Sequence, residues 1–171
     1  MPRPAPERLE HASQVDLAPV IAPDLSDLLV SLERLVRWAD SPSSRWTLMH
    51  AVDFPVDDVA VFLVVNQLVY CGAMRPTELA DALGMGRPNI SRLSARAADL
   101  GLVVKIADPN DDRGVLIALS EEGRRIGDAI IAFLRRGLVE LLSAWPEGDV
   151  AAFRELVGRY VSDVERAYPA R

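Results

Sequence analysis

Apolar residues recur at Leu25, Leu28, Leu29, Leu32, Leu35 and Val36, the three- and four-residue step that lines one face of a helix. Asp24 just before the run predicts its N-cap, and DSPSS (40–44) predicts a break. RWTLMHAVDF (45–54) predicts one or two helical turns. Pro55, with Asp57 and Asp58 behind it, predicts a new helix, because proline suits the first helical position and acids suit the first turn. That helix runs to about Cys71, where Gly72 stops it. It is apolar nearly all round, which predicts burial.

RPTELADALG (75–84) predicts a short helix with Pro76 first and Gly84 at its close. MGRPNISRLSARAADLG (85–101) predicts a second one, with Ile90, Leu93, Ala97 and Leu100 on its apolar stripe. Two short helices joined by a tight glycine turn form the helix-turn-helix pattern. LVVKIA and GVLIALS are short and β-branched, with turn residues between them, and predict a hairpin. Ser120 caps a further helix whose stripe is Ile126, Ile130, Phe133, Leu134, Leu138 and Leu141. After WPEGD, Val150, Phe153, Val157, Tyr160, Val161 and Val164 mark the last helix. The fold class is mainly α with a small β-hairpin wing. The winged helix-turn-helix spans about 55–119, flanked by helices at 24–54 and 120–171 that form a single domain with it. Residues 1–23 hold Pro2, Pro4, Pro6, Pro19 and Pro23 and read as a flexible arm.

Composition sharpens this picture in two places. The chain of 171 residues carries a formal net charge of -6, which disfavours nucleic acid overall, since phosphate affinity comes from Lys and Arg. Between Gly84 and Ala107, however, the basic residues are Arg87, Arg92, Arg96 and Lys105, and the only acid is Asp99. A local patch is enough to touch DNA. One cysteine, Cys71, excludes an internal disulfide and fits a reducing compartment. With no signal peptide and no apolar run of membrane length, the expected location is cytoplasmic. His11, His50 and a single cysteine make no metal site, and no cofactor is expected. No nucleophile with a histidine base and no Gly-rich phosphate loop is present, so an enzyme is not expected.

The second helix of such a motif enters the major groove and reads bases near its N-terminus. Asn89, Ser91 and Arg92 are suitable types, asparagine pairing with adenine and arginine with guanine. Arg87 and Arg96 are candidates to hold phosphates, which position without specifying. Thr77, early in the first helix, joins the DNA-contacting set. The stretch ADPNDDRGV (107–115) places Arg113 at the hairpin tip among three aspartates. Arginine is the side chain most suited to a narrow minor groove, and Asp111 is close enough in sequence to orient it. Asp108 with Pro109 suits the turn, and Gly114 relaxes the return strand.

From ELADALG through DPNDDRGVLIALSEEG the chain resembles the MarR family of regulators. Asp108, Pro109, Asp111, Arg113, Leu119, Ser120 and Gly123 fall on its wing pattern, and Glu78, Leu79 and Ala80 on its first motif helix. The resemblance implies a homodimer built from the N- and C-terminal helices, bound to a pseudo-palindromic double-stranded operator. It implies regulation, by repression more than activation, relieved by a small aromatic or anionic effector. Trp46 and His50, four residues apart, are candidates to line that effector's pocket. Val104 and Asp112 stand where many members carry basic residues, so this wing is less positive than usual. That weakness and the acidic balance leave an alternative, a winged helix used for protein contact or dimerisation without DNA. Cys71 reads as a small buried hydrophobe.

Overall fold

The computed structural model describes residues 18–169, apart from the side chains of Asp112 and Arg113. His11 and most of the proline-rich arm (1–17) lie outside the described residues. The described residues form two compact units that divide between Ser44 and Arg45. Its elements in order are α1 (Leu28–Ala39), α2 (Pro42–Ala51), α3 (Val59–Cys71), α4 (Pro76–Ala82), α5 (Arg87–Asp99), β1 (Val103–Asp108), β2 (Asp111–Leu119), α6 (Glu121–Leu142) and α7 (Glu147–Ala167).

Three helix starts differ from the sequence expectation, each because a different polar side chain captures the first amides. The α1 cap is Asp27, which accepts from the Leu29 amide at 2.8 Å. Asp24 instead folds onto Ser26, accepting from its amide at 2.9 Å and its hydroxyl at 2.8 Å, a local turn that precludes helix. α2 begins at Pro42 and runs ten residues, so Ser43 and Ser44 belong to it, and the Ser44 amide donates to the Ser41 hydroxyl at 3.2 Å. α3 starts after Asp58, not at Pro55, because the Asp58 carboxylate accepts from the Ala60 and Val61 amides at 3.0 and 3.3 Å. One aspartate thus satisfies two of the donors every helix start leaves over.

In the second unit, α3 runs through the core. Val61, Phe62, Val64, Val65 and Leu68 are buried, and Phe62 meets Phe54 edge to face at 5.3 Å between ring centres. Leu79 of α4, Ile90 and Leu93 of α5, Ile117 of β2, and Ile126 and Ile130 of α6 close over it. Cys71 is exposed, contrary to the expectation that the end of this helix lies inside. Its Sγ accepts from Gln67 Nε2 at 3.1 Å.

The hairpin is antiparallel, with Val103 opposite Leu119 and Ala107 opposite Val115, then a register shift to Asp108 opposite Asp111. Met74, just before α4, pairs with Ile117 through two backbone bonds of 3.0 and 2.8 Å, which ties the wing's root to the helix-turn-helix. α6 follows at once. The Ser120 hydroxyl accepts from the Gly123 amide at 3.0 Å, and the Ser120 amide donates to the Leu102 carbonyl at 3.0 Å. A Cβ on Gly123 would stand 2.0 Å from that same Leu102 oxygen, so only glycine lets the helix start this close to the strand.

The outer helices are different. α6 is buried only in its first half, at Gly123, Ile126, Gly127 and Ile130, while Leu134, Leu138 and Leu141 are exposed. No residue of α7 is buried among those described, although Phe153, Leu156, Val157, Tyr160, Val161 and Val164 recur along it at helical spacing. In the first unit, Leu28, Leu29, Leu35, Val36 and Trp38 are exposed as well.

Candidate nucleic-acid interface

The interface is built on α4, the turn after it, and α5. α4 starts with Pro76, and Glu78 reaches back so that its carboxylate accepts from the Arg75 amide at 2.8 Å. Leu79 and Ala80 anchor the helix inward, and Thr77 in its first turn is half-buried. Gly84 turns the chain with φ 60, a left-handed conformation that a Cβ disfavours. The Met85 amide then donates to the Ala80 carbonyl at 2.9 Å, closing the turn.

The rotation of α5 about its axis is fixed by Ile90, Leu93, Ser94 and Ala97, all buried. Arg87, Ser91, Arg92 and Arg96 are therefore exposed, and Asn89 is half-buried beside them. The residues expected to contact DNA lie on the solvent side of α5. Within it, Arg92 Nη2 donates to Asn89 Oδ1 at 2.8 Å, and Asn89 Nδ2 lies 3.7 Å from Met85 Sδ. The two candidate base readers hold each other, so the arginine is partly ordered before any ligand arrives. Arg96 behaves differently. Its Nη1 pairs with Asp58 Oδ2 at 2.8 Å, and its side chain remains 49% exposed. Asp58 thus caps α3 with one oxygen and clips α5 to it with the other.

The first strand of the wing packs against α5. β2 begins at Asp111, so the turn is only Pro109–Asn110, and the backbone of Arg113 lies inside the strand and not at the tip. The side chain of Arg113, the residue expected in the minor groove, is outside the described residues, as is that of Asp112. Asp108 does more than favour the turn. One of its oxygens accepts from the Asn110 amide at 2.9 Å, and the other from Arg75 Nε at 2.8 Å and Nη2 at 2.6 Å. The Asn110 amide first and the Arg75 guanidinium second hold the Asp108 carboxyl below its ordinary pKa. The same bond raises the Arg75 pKa. Asp111 stands 3.7 Å from the same guanidinium. A Cβ on Gly114 would lie 2.7 Å from Asp108 Cβ, so the bulged strand folds down over that carboxylate.

Sequence reasoning missed Arg75. Its partner lies 33 residues away, and no local pattern marks it. It also missed Asp58 as the partner of Arg96, and it placed no polar residue on the buried side of α5, where Ser94 is. The two residues expected at an effector pocket do meet. Trp46 and His50 stack with ring centres 5.7 Å apart and planes at 24°, Trp46 half-buried and His50 exposed. Among the described residues, no group of His, Cys, Asp and Glu could hold a metal ion, and no helix is long and apolar enough to cross a membrane.

No protein-family model matches the chain. Individual relatives do. It is 31% identical over 123 residues to an HTH-type transcriptional regulator of Mycobacterium tuberculosis, covering 72% of this chain and 78% of that one. It is 30% identical over 104 residues to the multiple antibiotic resistance protein MarR of Escherichia coli, covering 60% of this chain and 71% of the relative. Among solved structures, a MarR family protein from Bacillus stearothermophilus superposes with a TM-score of 0.64 at 20% identity, covering 80% of this chain and 94% of that one. That likeness confirms the fold: helices, a hairpin wing between α5 and α6, and long C-terminal helices. A helix-turn-helix with polar residues exposed on its second helix, a wing whose root is tied to it and relatives of this extent agree: the chain belongs to the MarR family of winged helix-turn-helix transcriptional regulators, which are DNA-binding proteins and not enzymes.

Proposed function

We propose that this protein is a homodimeric repressor that reads a pseudo-palindromic operator and is released by a small effector. The observation that carries the DNA reading is the exposed α5 face, on which Arg92 is held by Asn89 at 2.8 Å. α5 lies in the major groove, with Asn89, Ser91 and Arg92 on base edges and Arg87 on phosphate. Thr77 at the start of α4 meets the backbone beside it. Arg96 contacts phosphate through the part of its guanidinium not paired with Asp58. Arg113 reaches the minor groove from β2, with Asp111 beside it in sequence to orient it.

The unburied stripe of α7 and the exposed end of α6 support a second copy as partner. Two-fold proteins read two-fold sites, one α5 per half-site. An aromatic or anionic effector stacks on the Trp46–His50 pair, of which His50 is exposed. It acts by binding better to a dimer whose two α5 helices no longer match the half-sites, since only differential affinity shifts a population.

The test is an anisotropy titration of a duplex taken from the DNA upstream of this protein's own coding region, against a scrambled duplex. Arg92→Ala is expected to lose ~1–3 kcal/mol on the specific duplex and to relax preference at one position per half-site. Equal binding of both duplexes by the wild type would refute the reading.

A further inference from the structure

We infer that Arg75 is a positioning residue for DNA binding: it clasps the tip of the wing to the start of α4, so that wing and recognition helix present one rigid surface. The inference rests on the wing lying against DNA beside α5.

The wing has two anchors, and they do different things. Its root is held by Met74 pairing with Ile117 at 3.0 and 2.8 Å and by the burial of Leu102, Val103 and Ile117. These contacts belong to the core. The tip lies beyond the register shift at Ala107–Asp108, where the regular ladder ends. A two-stranded ribbon past its last regular pair is marginal by itself. What holds it is Asp108, whose side chain is only 4% exposed. It engages Arg75 through one oxygen and the Asn110 amide through the other. Arg75 in turn is fixed from behind, since its own amide is bonded to Glu78 of α4. The chain of contacts runs from α4 through Arg75 to the turn that precedes Arg113.

Asp108 is buried under Gly114, and Arg75, 43% exposed, already has one edge engaged by that carboxylate. Their effect on affinity therefore comes through the direction of the wing. This separates the clasp from plain electrostatics by sign. Removing a cation should weaken DNA binding, and removing an anion should strengthen it. The clasp requires a loss from both.

The experiment uses full-length Arg75→Met, which keeps the aliphatic stem, and Asp108→Asn, which keeps an oxygen for the Asn110 amide, with the double variant. Each is titrated on the upstream duplex at several salt concentrations. Amide exchange is followed over residues 105–117 without DNA. The expected result is a loss of about tenfold for each single variant, a similar loss for the double because the two share one bond, and an unchanged salt slope. Exchange at the tip quickens, while the melting temperature falls by no more than about 4 °C, the shift of roughly 1 kcal/mol in a chain of this size. A gain in affinity for Asp108→Asn would overturn the inference, and so would losses that multiply in the double variant. A salt slope lower by about one for Arg75→Met would show a phosphate contact instead. If the wild type showed no preference for the duplex, the DNA reading would fail on its own. The clasp would then be decided by exchange at the tip, which must quicken in Arg75→Met.

Discussion

Leu156→Ala should break the proposed dimer, and the structure sets the scale. Leu156 sits mid-stripe on α7 and is 52% exposed in the single chain. Burying a whole leucine side chain is worth about 1.5–3 kcal/mol, so covering the exposed half contributes about 1 kcal/mol per copy. Truncation also leaves a void, and incomplete collapse adds a comparable amount. A two-fold interface removes the side chain twice. The total is roughly 3–4 kcal/mol, a weakening of a few hundredfold in the dimer dissociation constant. Sedimentation equilibrium over a dilution series measures it directly. Glu155→Ala, on the same helix but off the stripe, serves as control and should leave the constant within about threefold, as surface changes usually do. A wild type that is monomeric at micromolar concentration would refute the reasoning. So would a Leu156→Ala dimer weakened less than about tenfold, since the stripe would then face something other than a second copy.

Three further outcomes follow from local geometry. Gly123→Ala should destabilise the fold by ~3 kcal/mol or more, because the added carbon meets the Leu102 carbonyl at 2.0 Å and backbone must move; an unchanged thermal melt would contradict it. Ser94→Ala should raise stability by about 1 kcal/mol, because this hydroxyl is buried with no hydrogen-bond partner among the described residues; a lower melting temperature would contradict it. Asp108 titrates lower in the folded chain than its ordinary value, so its contribution to stability is complete at neutral pH. That contribution declines once pH drops below about 3.9, the unfolded value, and is gone below the folded one. The gap in melting temperature between wild type and Asp108→Asn, open at pH 7, should close on acidification, and a constant gap would contradict it.

The legible parts of this fold were those written in neighbouring residues. The α5 stripe of Ile90, Leu93 and Ala97 fixed which side of that helix faces out, and Gly72, Gly84 and Gly101, all with positive φ, marked where helices stop. The wing pattern also has a physical content that the structure makes plain. Ser120 bonds the start of α6 to the Gly123 amide, and Gly123 admits the Leu102 carbonyl, so two pattern positions are one joint between strand and helix. Helix starts were read less well, because aspartates compete. Asp24, Asp27, Asp57 and Asp58 are all acceptable caps by type, and only the packing of the following helix decides which one serves. Partners far apart in sequence were not legible at all. Arg75 with Asp108 and Arg96 with Asp58 are pairs whose members look like ordinary surface charges until the chain is folded.

Those two pairs change how the charge of the interface is understood. Counted along the sequence, Arg87, Arg92, Arg96 and Lys105 make a basic patch on an acidic chain, with Arg75 a little before it. Counted in space, Arg75 and Arg96 each face a carboxylate, and both carboxylates also hold backbone amides. They fasten neighbouring elements, Arg96 joining α5 to α3 and Arg75 joining the wing tip to the start of α4. Arg87, Arg92 and Lys105 make no ion pair among the described residues, so on the proposed reading their charge is left for an incoming phosphate or base. An acidic protein can bind DNA this way because affinity depends on cations that meet phosphate, while acids placed behind them set direction. The aspartates around the wing are then consistent with a DNA-facing surface: Asp108 fixes where the hairpin points, and it does so from a buried position where it repels no phosphate directly.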